Sequence, residues 1–123
     1  MNVKLLFIVL YLGCLSQTSR AQIEKLLPGN YWQYSTTTYN KDGKHVYNFT
    51  RIASADSIKE VAMRFADNGT FKEVVNKNHP KPARSGKWKT SKDTLILDFP
   101  NQRWNYKILF MNSKEFQCTM SKG

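Results

Sequence analysis

The sequence predicts an all-β domain: an antiparallel up-and-down barrel of about eight strands, with a short lead-in before the first strand. Apolar and aromatic residues alternate with polar ones in short runs, and turn residues separate these runs every 8–12 residues or so. No long helical period is present, and the short links favour neighbouring hairpins over long crossovers. Closure of the sheet also removes the exposed edges through which β-proteins aggregate.

Turn residues set the order of the elements. The lead-in covers residues 22–27, where one helical turn could cover an end of the barrel, and Pro28-Gly29-Asn30 ends it. Asp42-Gly43 joins the first two strands, and Asp67-Asn68-Gly69 joins the third and fourth. Residues 77–84 form a loop, because their two prolines cannot donate to a strand ladder. The predicted strands cover residues 31–39, 45–53, 60–66, 70–76, 85–90, 94–99, 103–110 and 115–121.

The N-terminus has the features of a secretory signal peptide. Lys4 precedes a short apolar run, and Ser19-Arg20-Ala21 has small residues at the positions that signal peptidase requires. We therefore expect residues 1–21 to be a leader and residues 22–123 to be a domain exported to the periplasm or the extracellular space. The apolar run is well below the roughly 20 residues of a membrane-spanning helix, which disfavours an uncleaved anchor.

Cys14 leaves a second route of processing open. Gly13-Cys14 resembles the end of a bacterial lipoprotein box, in which the cysteine is lipidated and becomes the new N-terminus. Cleavage after Ala21 is favoured, because Tyr11 stands where that box usually has leucine.

The net charge indicates which classes of partner the domain could bind, and the cysteine content shows whether it can form a disulfide. The chain carries a net charge of +10, which favours anionic surroundings such as lipid headgroups, acidic glycans or an acidic protein. Residues 22–123 hold 13 lysines and 4 arginines, a bias that argues against nucleic acid, whose bidentate recognition relies on arginine. Cys118 is the one cysteine after the leader, so the domain forms no internal disulfide, and it alternates with Phe116 and Met120 as a buried residue does. We expect a monomer.

Several motifs together resemble a known family. Gly29-Asn30-Tyr31-Trp32 resembles the opening Gly-x-Trp strand of lipocalins, and residues 65–71 resemble the Phe-x-x-Asp/Asn-Gly-Thr-Phe hairpin of the short lipocalin-like domains exported by Bacteroidetes. Gly86-Lys87-Trp88 and residues 104–109 resemble the later strands of that family. The resemblance covers almost all of the mature chain, and it implies a small barrel that could enclose a cavity.

The residue types support binding rather than catalysis. His45 and His79 lie on separate segments and give no metal-ligand spacing, so neither a metal nor a cofactor is expected. The carboxylates offer no catalytic pair, and the chain shows no nucleophile motif, so we expect no enzyme.

The first hypothesis is a barrel that binds a small apolar or amphiphilic molecule in its interior. Aromatic residues would line the cavity, and two cations of the 77–84 loop would meet an anionic head group at its mouth. The candidate residues are Tyr47, Phe65, Trp88, Trp104, Tyr106, Lys81 and Arg84. The alternative is a protein-interaction or inhibitor module of the cell envelope, with a solid core and a basic binding face.

Overall fold

Eight antiparallel strands close into a barrel in the computed structural model, which describes residues 19–123. This confirms the predicted all-β barrel, and every strand begins and ends within one residue of its predicted bounds. Helix α1 (Arg20–Leu26) precedes the strands, and a 3-10 helix (Ala55–Ser57) lies between the second and third. The strands are β1 (Tyr31–Tyr39), β2 (His45–Ile52), β3 (Val61–Phe65), β4 (Thr70–Val75), β5 (Ser85–Ser91), β6 (Thr94–Phe99), β7 (Gln102–Met111) and β8 (Glu115–Lys122).

The strand order departs from a purely up-and-down barrel at one link. Around the barrel the order is β1-β2-β8-β7-β6-β5-β4-β3, so β1 lies between β2 and β3. The link at residues 53–60 therefore crosses β1, and the Lys59 backbone N–H donates to Gln33 Oε1 at 2.7 Å. Gln33 follows the buried Trp32 and faces the opposite side of the sheet, so the link crosses on the outside. The other six links join neighbouring strands.

Helix α1 covers one end of the barrel, as the lead-in was predicted to do. Ile23 and Leu27 have no exposed surface and belong to the core. The Trp32 indole Nε1–H donates to the Leu27 carbonyl oxygen at 3.0 Å, which ties the helix to β1. Ser19 Oγ caps the helix by accepting from the Gln22 N–H at 3.2 Å. We call this end of the barrel the helix end and the opposite one the distal end.

The proposed leader lies mostly outside the described residues. Its apolar run and Cys14 fall within residues 1–18, and the predicted cleavage point after Ala21 falls inside α1. None of the helices formed by residues 19–123 has the length and apolar character needed to cross a membrane.

Aromatic side chains fill the interior towards the helix end. The Phe116 ring lies 4.7 Å from Phe49 in a stacked arrangement and 5.2 Å from Trp32 in an edge-on one. Phe65 and Phe71 lie directly opposite each other on β3 and β4 and are fully or almost fully buried. Cys118 is completely buried, as predicted, and burial raises the pKa of its thiol to about 12.

Candidate functional site

Tyrosine and tryptophan side chains face the interior in the middle and distal half of the barrel. Tyr47 on β2 pairs with the buried Cys118 of β8, and Trp104 on β7 pairs with the buried Leu97 of β6. Directly opposite residues of antiparallel strands share a face, so both aromatic side chains point inward. Tyr106 lies at mid-strand on β7, is 8% exposed and stacks on Phe49 at a ring distance of 6.2 Å.

An ion pair also faces inward. Glu73 lies on β4 opposite the buried Met63 and two residues after Phe71, so its side chain shares the face of both. Its carboxylate accepts from the Arg84 guanidinium twice, with Nε to Oε1 at 2.9 Å and Nη2 to Oε2 at 2.9 Å. The Arg84 backbone N–H adds a third bond to Oε1 at 3.0 Å, and the Glu73 N–H donates to the Arg84 carbonyl at 2.7 Å.

Arg84 also lies against an aromatic ring. Its guanidinium carbon is 4.3 Å from the centre of the Phe99 ring, a cation–π distance. Hydrogen bonding to Glu73 raises the pKa of Arg84 above its ordinary value, so its charge is permanent. The Glu73 side chain is 11% exposed and the Arg84 side chain 50%, so the arginine reaches solvent while its partner is largely enclosed.

The charges of this ion pair affect the pKa of Tyr106. Burial is the main reason that the pKa of Tyr106 lies well above its usual value. Cys118, Glu73 and Tyr47 raise that pKa further, whereas Arg84 lowers it, so these charges act on the Tyr106 hydroxyl. The hydroxyl forms no hydrogen bond with residues 19–123 and is therefore available to water or a ligand. We call the group of Tyr47, Glu73, Arg84, Trp104 and Tyr106 the distal cluster.

The structure brings together four of the seven predicted site residues and separates three. The four are Tyr47, Trp104, Tyr106 and Arg84, all in the distal cluster. Phe65 and Trp88 lie at the helix end, 5.9 Å apart and edge-on, and Trp88 Nε1–H donates to the Ala66 carbonyl. Lys81 is exposed on the loop, where its backbone N–H and carbonyl contact the His79 ring at 3.2 and 2.9 Å.

Sequence reasoning missed Glu73, although the strand pattern contained a signal for it. Phe71 and Val75 lie four residues apart in the predicted fourth strand and therefore share a face, and the residue midway between them shares that face too. A carboxylate in an inward register needs a partner, which the sequence does not identify. Arg84 was predicted to meet an anionic head group at the mouth of the barrel, and in the structure its guanidinium is bound by Glu73.

Pockets lined by described residues open on the outside of the barrel. One pocket, with a volume of about 510 Å³, lies over the outer faces of β3 and β4, beside Tyr31 and Arg64. Two smaller ones, of about 400 and 380 Å³, lie beside the 76–80 segment and between α1 and β5. None of these three is lined by Tyr47, Trp104 or Tyr106.

No group of three or more histidine, cysteine or acidic side chains within residues 19–123 is arranged to hold a metal ion. In this part of the chain Glu73 is engaged by Arg84, and Asp98 by Arg103. The distal cluster thus combines apolar rings, phenol hydroxyls and one permanent cation, which is the chemistry of a binding site.

A family model described as a lipocalin-like domain matches residues 29–118. The match covers the barrel from the end of α1 to the middle of β8, and the chain belongs to this lipocalin-like family. The family is generally non-enzymatic, and its fold commonly binds small hydrophobic ligands. No curated protein and no solved structure matches the chain.

Proposed function

We propose that this protein is an exported, non-enzymatic barrel that binds a small amphiphilic molecule at the distal cluster. The apolar part of the ligand would lie against Tyr47, Trp104 and Tyr106, and its anionic head group would lie beside Arg84. Lys81, which is exposed on the same loop, would add attraction from outside.

The observation that carries this proposal is the inward-facing ion pair. Arg84 is half exposed, and an ion pair that reaches solvent contributes little to stability, so packing alone does not require Glu73 and Arg84 to face the interior. A binding site does require polar groups at a few positions within an apolar lining, because such groups orient the ligand and select it. Tyr106 supports the same conclusion, since its hydroxyl has no partner among residues 19–123 and can donate to water or to a ligand.

A ligand at the distal cluster would contact side chains that keep some exposed surface. Arg84 is half exposed, and Tyr47 and Trp104 are partly buried against the core. The core towards the helix end is filled by Trp32, Phe49 and Phe116, so the ligand would be short or would extend beyond the distal end.

Titration of the purified domain with amphiphiles tests the proposal. A medium-chain fatty acid, the alcohol of equal chain length and the corresponding alkylamine are added below their critical micelle concentrations, and tryptophan fluorescence is followed. We expect saturable binding with the fatty acid favoured, and a loss of the signal in Trp104→Phe but not in Trp88→Phe. Absence of saturable binding for all three amphiphiles would refute the proposal.

Export is tested separately, by mass spectrometry of the protein from its native envelope. Cleavage after Ala21 would give a chain that begins at Gln22, whereas lipidation would give an acylated chain that begins at Cys14. We expect the first product. Cleavage there removes the Ser19 cap and the Arg20 side chain, but it leaves Ile23 and Leu27 in the core. An unprocessed N-terminus would contradict the proposal.

One observation favours the protein-interaction alternative: the three surface pockets described above lie outside the barrel, and none of them is lined by Tyr47, Trp104 or Tyr106. In that case the basic surface, not the interior, would contact an acidic partner. Charge reversal of Lys81 and Arg84 would then abolish binding of a purified acidic protein, while Tyr47→Ala would leave it intact.

A further inference from the structure

Glu73 supplies the same chemical group that an anionic amphiphile would present to Arg84. The planar guanidinium offers its donors in a fork that matches the two oxygens of one carboxylate, and Glu73 occupies that fork with two bonds of 2.9 Å. A fatty-acid carboxylate approaching from the distal end therefore meets a cation whose preferred geometry is already filled.

The two members of the pair are held differently. Glu73 projects from within β4 and is 11% exposed, whereas Arg84 precedes β5 and is 50% exposed. Phe99 lies under the guanidinium at 4.3 Å and gives an apolar surface beside the charge. An incoming carboxylate can thus reach Arg84 from the solvent side, with its first methylenes against an aromatic ring.

We infer that Glu73 is an internal competitor, and that the barrel selects carboxylate amphiphiles by exchanging the ligand carboxylate for that of Glu73 on Arg84. This inference rests on the proposed function, which places the ligand at the distal cluster. The exchange forms new hydrogen bonds of the same kind as those it breaks. A neutral alcohol or a cationic amine gains nothing from it and leaves the Glu73–Arg84 pair closed.

The exchange also sets the affinity. When a ligand takes the guanidinium, Glu73 must be hydrated or must share the cation, and this cost opposes binding. The native glutamate therefore keeps the affinity for carboxylates moderate and suits a protein that must release its ligand as well as bind it.

The variant Glu73→Gln tests the inference, because glutamine keeps the size of the side chain and removes its charge. We expect the dissociation constant for a medium-chain fatty acid to fall at least about tenfold, the weight of one charge-assisted hydrogen bond. Binding of the alcohol of equal chain length should stay within about twofold, since it makes no such bond.

Two further variants provide matched controls. Arg84→Gln should remove the preference for acid over alcohol, and adding Glu73→Gln to it should then have no further effect. Lys114→Gln removes an exposed cation from the β7–β8 turn at the helix end, one that pairs with no carboxylate in residues 19–123, and the preference should persist.

Three outcomes overturn the inference while leaving the proposed function standing. The first is that Glu73→Gln binds the alcohol but has the same affinity for the acid as the native protein. The second is that Glu73→Gln binds the acid and the alcohol more tightly by the same factor, which would mean that the substitution has loosened the end of the barrel. The third comes from the native protein and does not depend on any variant folding: the Arg84 Nε–H signal in a ¹H–¹⁵N spectrum stays unmoved at saturation with fatty acid. If no amphiphile binds any form, the proposed function itself falls.

Discussion

Gly86 is the position where the barrel tolerates an added atom least. A Cβ built there would lie 2.1 Å from the Asp98 carbonyl oxygen of β6 and 2.9 Å from Phe71 Cε1. Contacts of this kind are normally about 3.5 Å or longer, so β5 and β6 would have to separate by roughly 1 Å. The glycine of Gly86-Lys87-Trp88 is thus explained by the close approach of two strands over a buried ring.

The substitution Gly86→Ala should be strongly destabilising. Overpacking costs about 1–3 kcal/mol, and lengthening the β5–β6 hydrogen bonds nearby costs about 1 kcal/mol for each bond weakened. A total loss of about 3 kcal/mol would lower the melting temperature by roughly 15 °C for a domain of this size. Thermal and urea unfolding, followed by circular dichroism, measure both quantities.

Gly43→Ala is the matched control. Gly43 has a φ of +75°, but its added Cβ would meet no atom within 4 Å, so the cost is backbone strain alone, about 1–2 kcal/mol. A loss for Gly86→Ala no larger than that of the control would refute the close-approach argument.

Three other features give measurable expectations. The Cys118 thiol has a pKa raised to about 12, so it should not react with Ellman's reagent at pH 8 in the folded 22–123 domain. It should react once the domain is unfolded in urea. Rapid reaction of the thiol in the folded domain would contradict its burial. The folded-state pKa of Tyr106 is raised, so its contribution to stability is complete below its unfolded pKa of about 10 and declines as the pH rises past it. Urea midpoints measured between pH 8 and 11 should therefore fall more steeply for the native protein than for Tyr106→Phe, and equal slopes would count against this. Trp32→Phe leaves the buried Leu27 carbonyl without its donor and should lower the free energy of unfolding by about 1–3 kcal/mol. Trp88→Phe removes an exposed hydrogen bond and should lower it by less. A larger loss for Trp88→Phe than for Trp32→Phe in urea unfolding would contradict the role of Trp32.

The strands and turns of the fold were predictable because they depend on local patterns in the sequence. Alternation along the chain and turn residues such as Asp42-Gly43 are local properties, and they placed each strand within one residue of its observed bounds. The crossing of β1 by the 53–60 link was not predicted, because the choice between pairing β3 with β2 or with β1 depends on contacts far apart in sequence.

Alternation along a strand predicts which face a residue occupies, but it does not identify the partner of a charged side chain. Tyr47, Trp104 and Tyr106 were correctly assigned to the interior, since period-two spacing fixes the face of a strand residue. Arg84 follows a proline-containing loop whose path the sequence does not specify, so its contact with Glu73 appears only in three dimensions.

The sequence by itself determined the strands, the turns, the inward-facing aromatic residues and the resemblance to lipocalin-like domains, because each of these depends on residues close together in the chain. The tertiary structure decided which strands are neighbours, that α1 covers one end, and that Glu73 binds Arg84. These depend on the closure of the barrel, which brings residues distant in sequence, and the charges they carry, into contact.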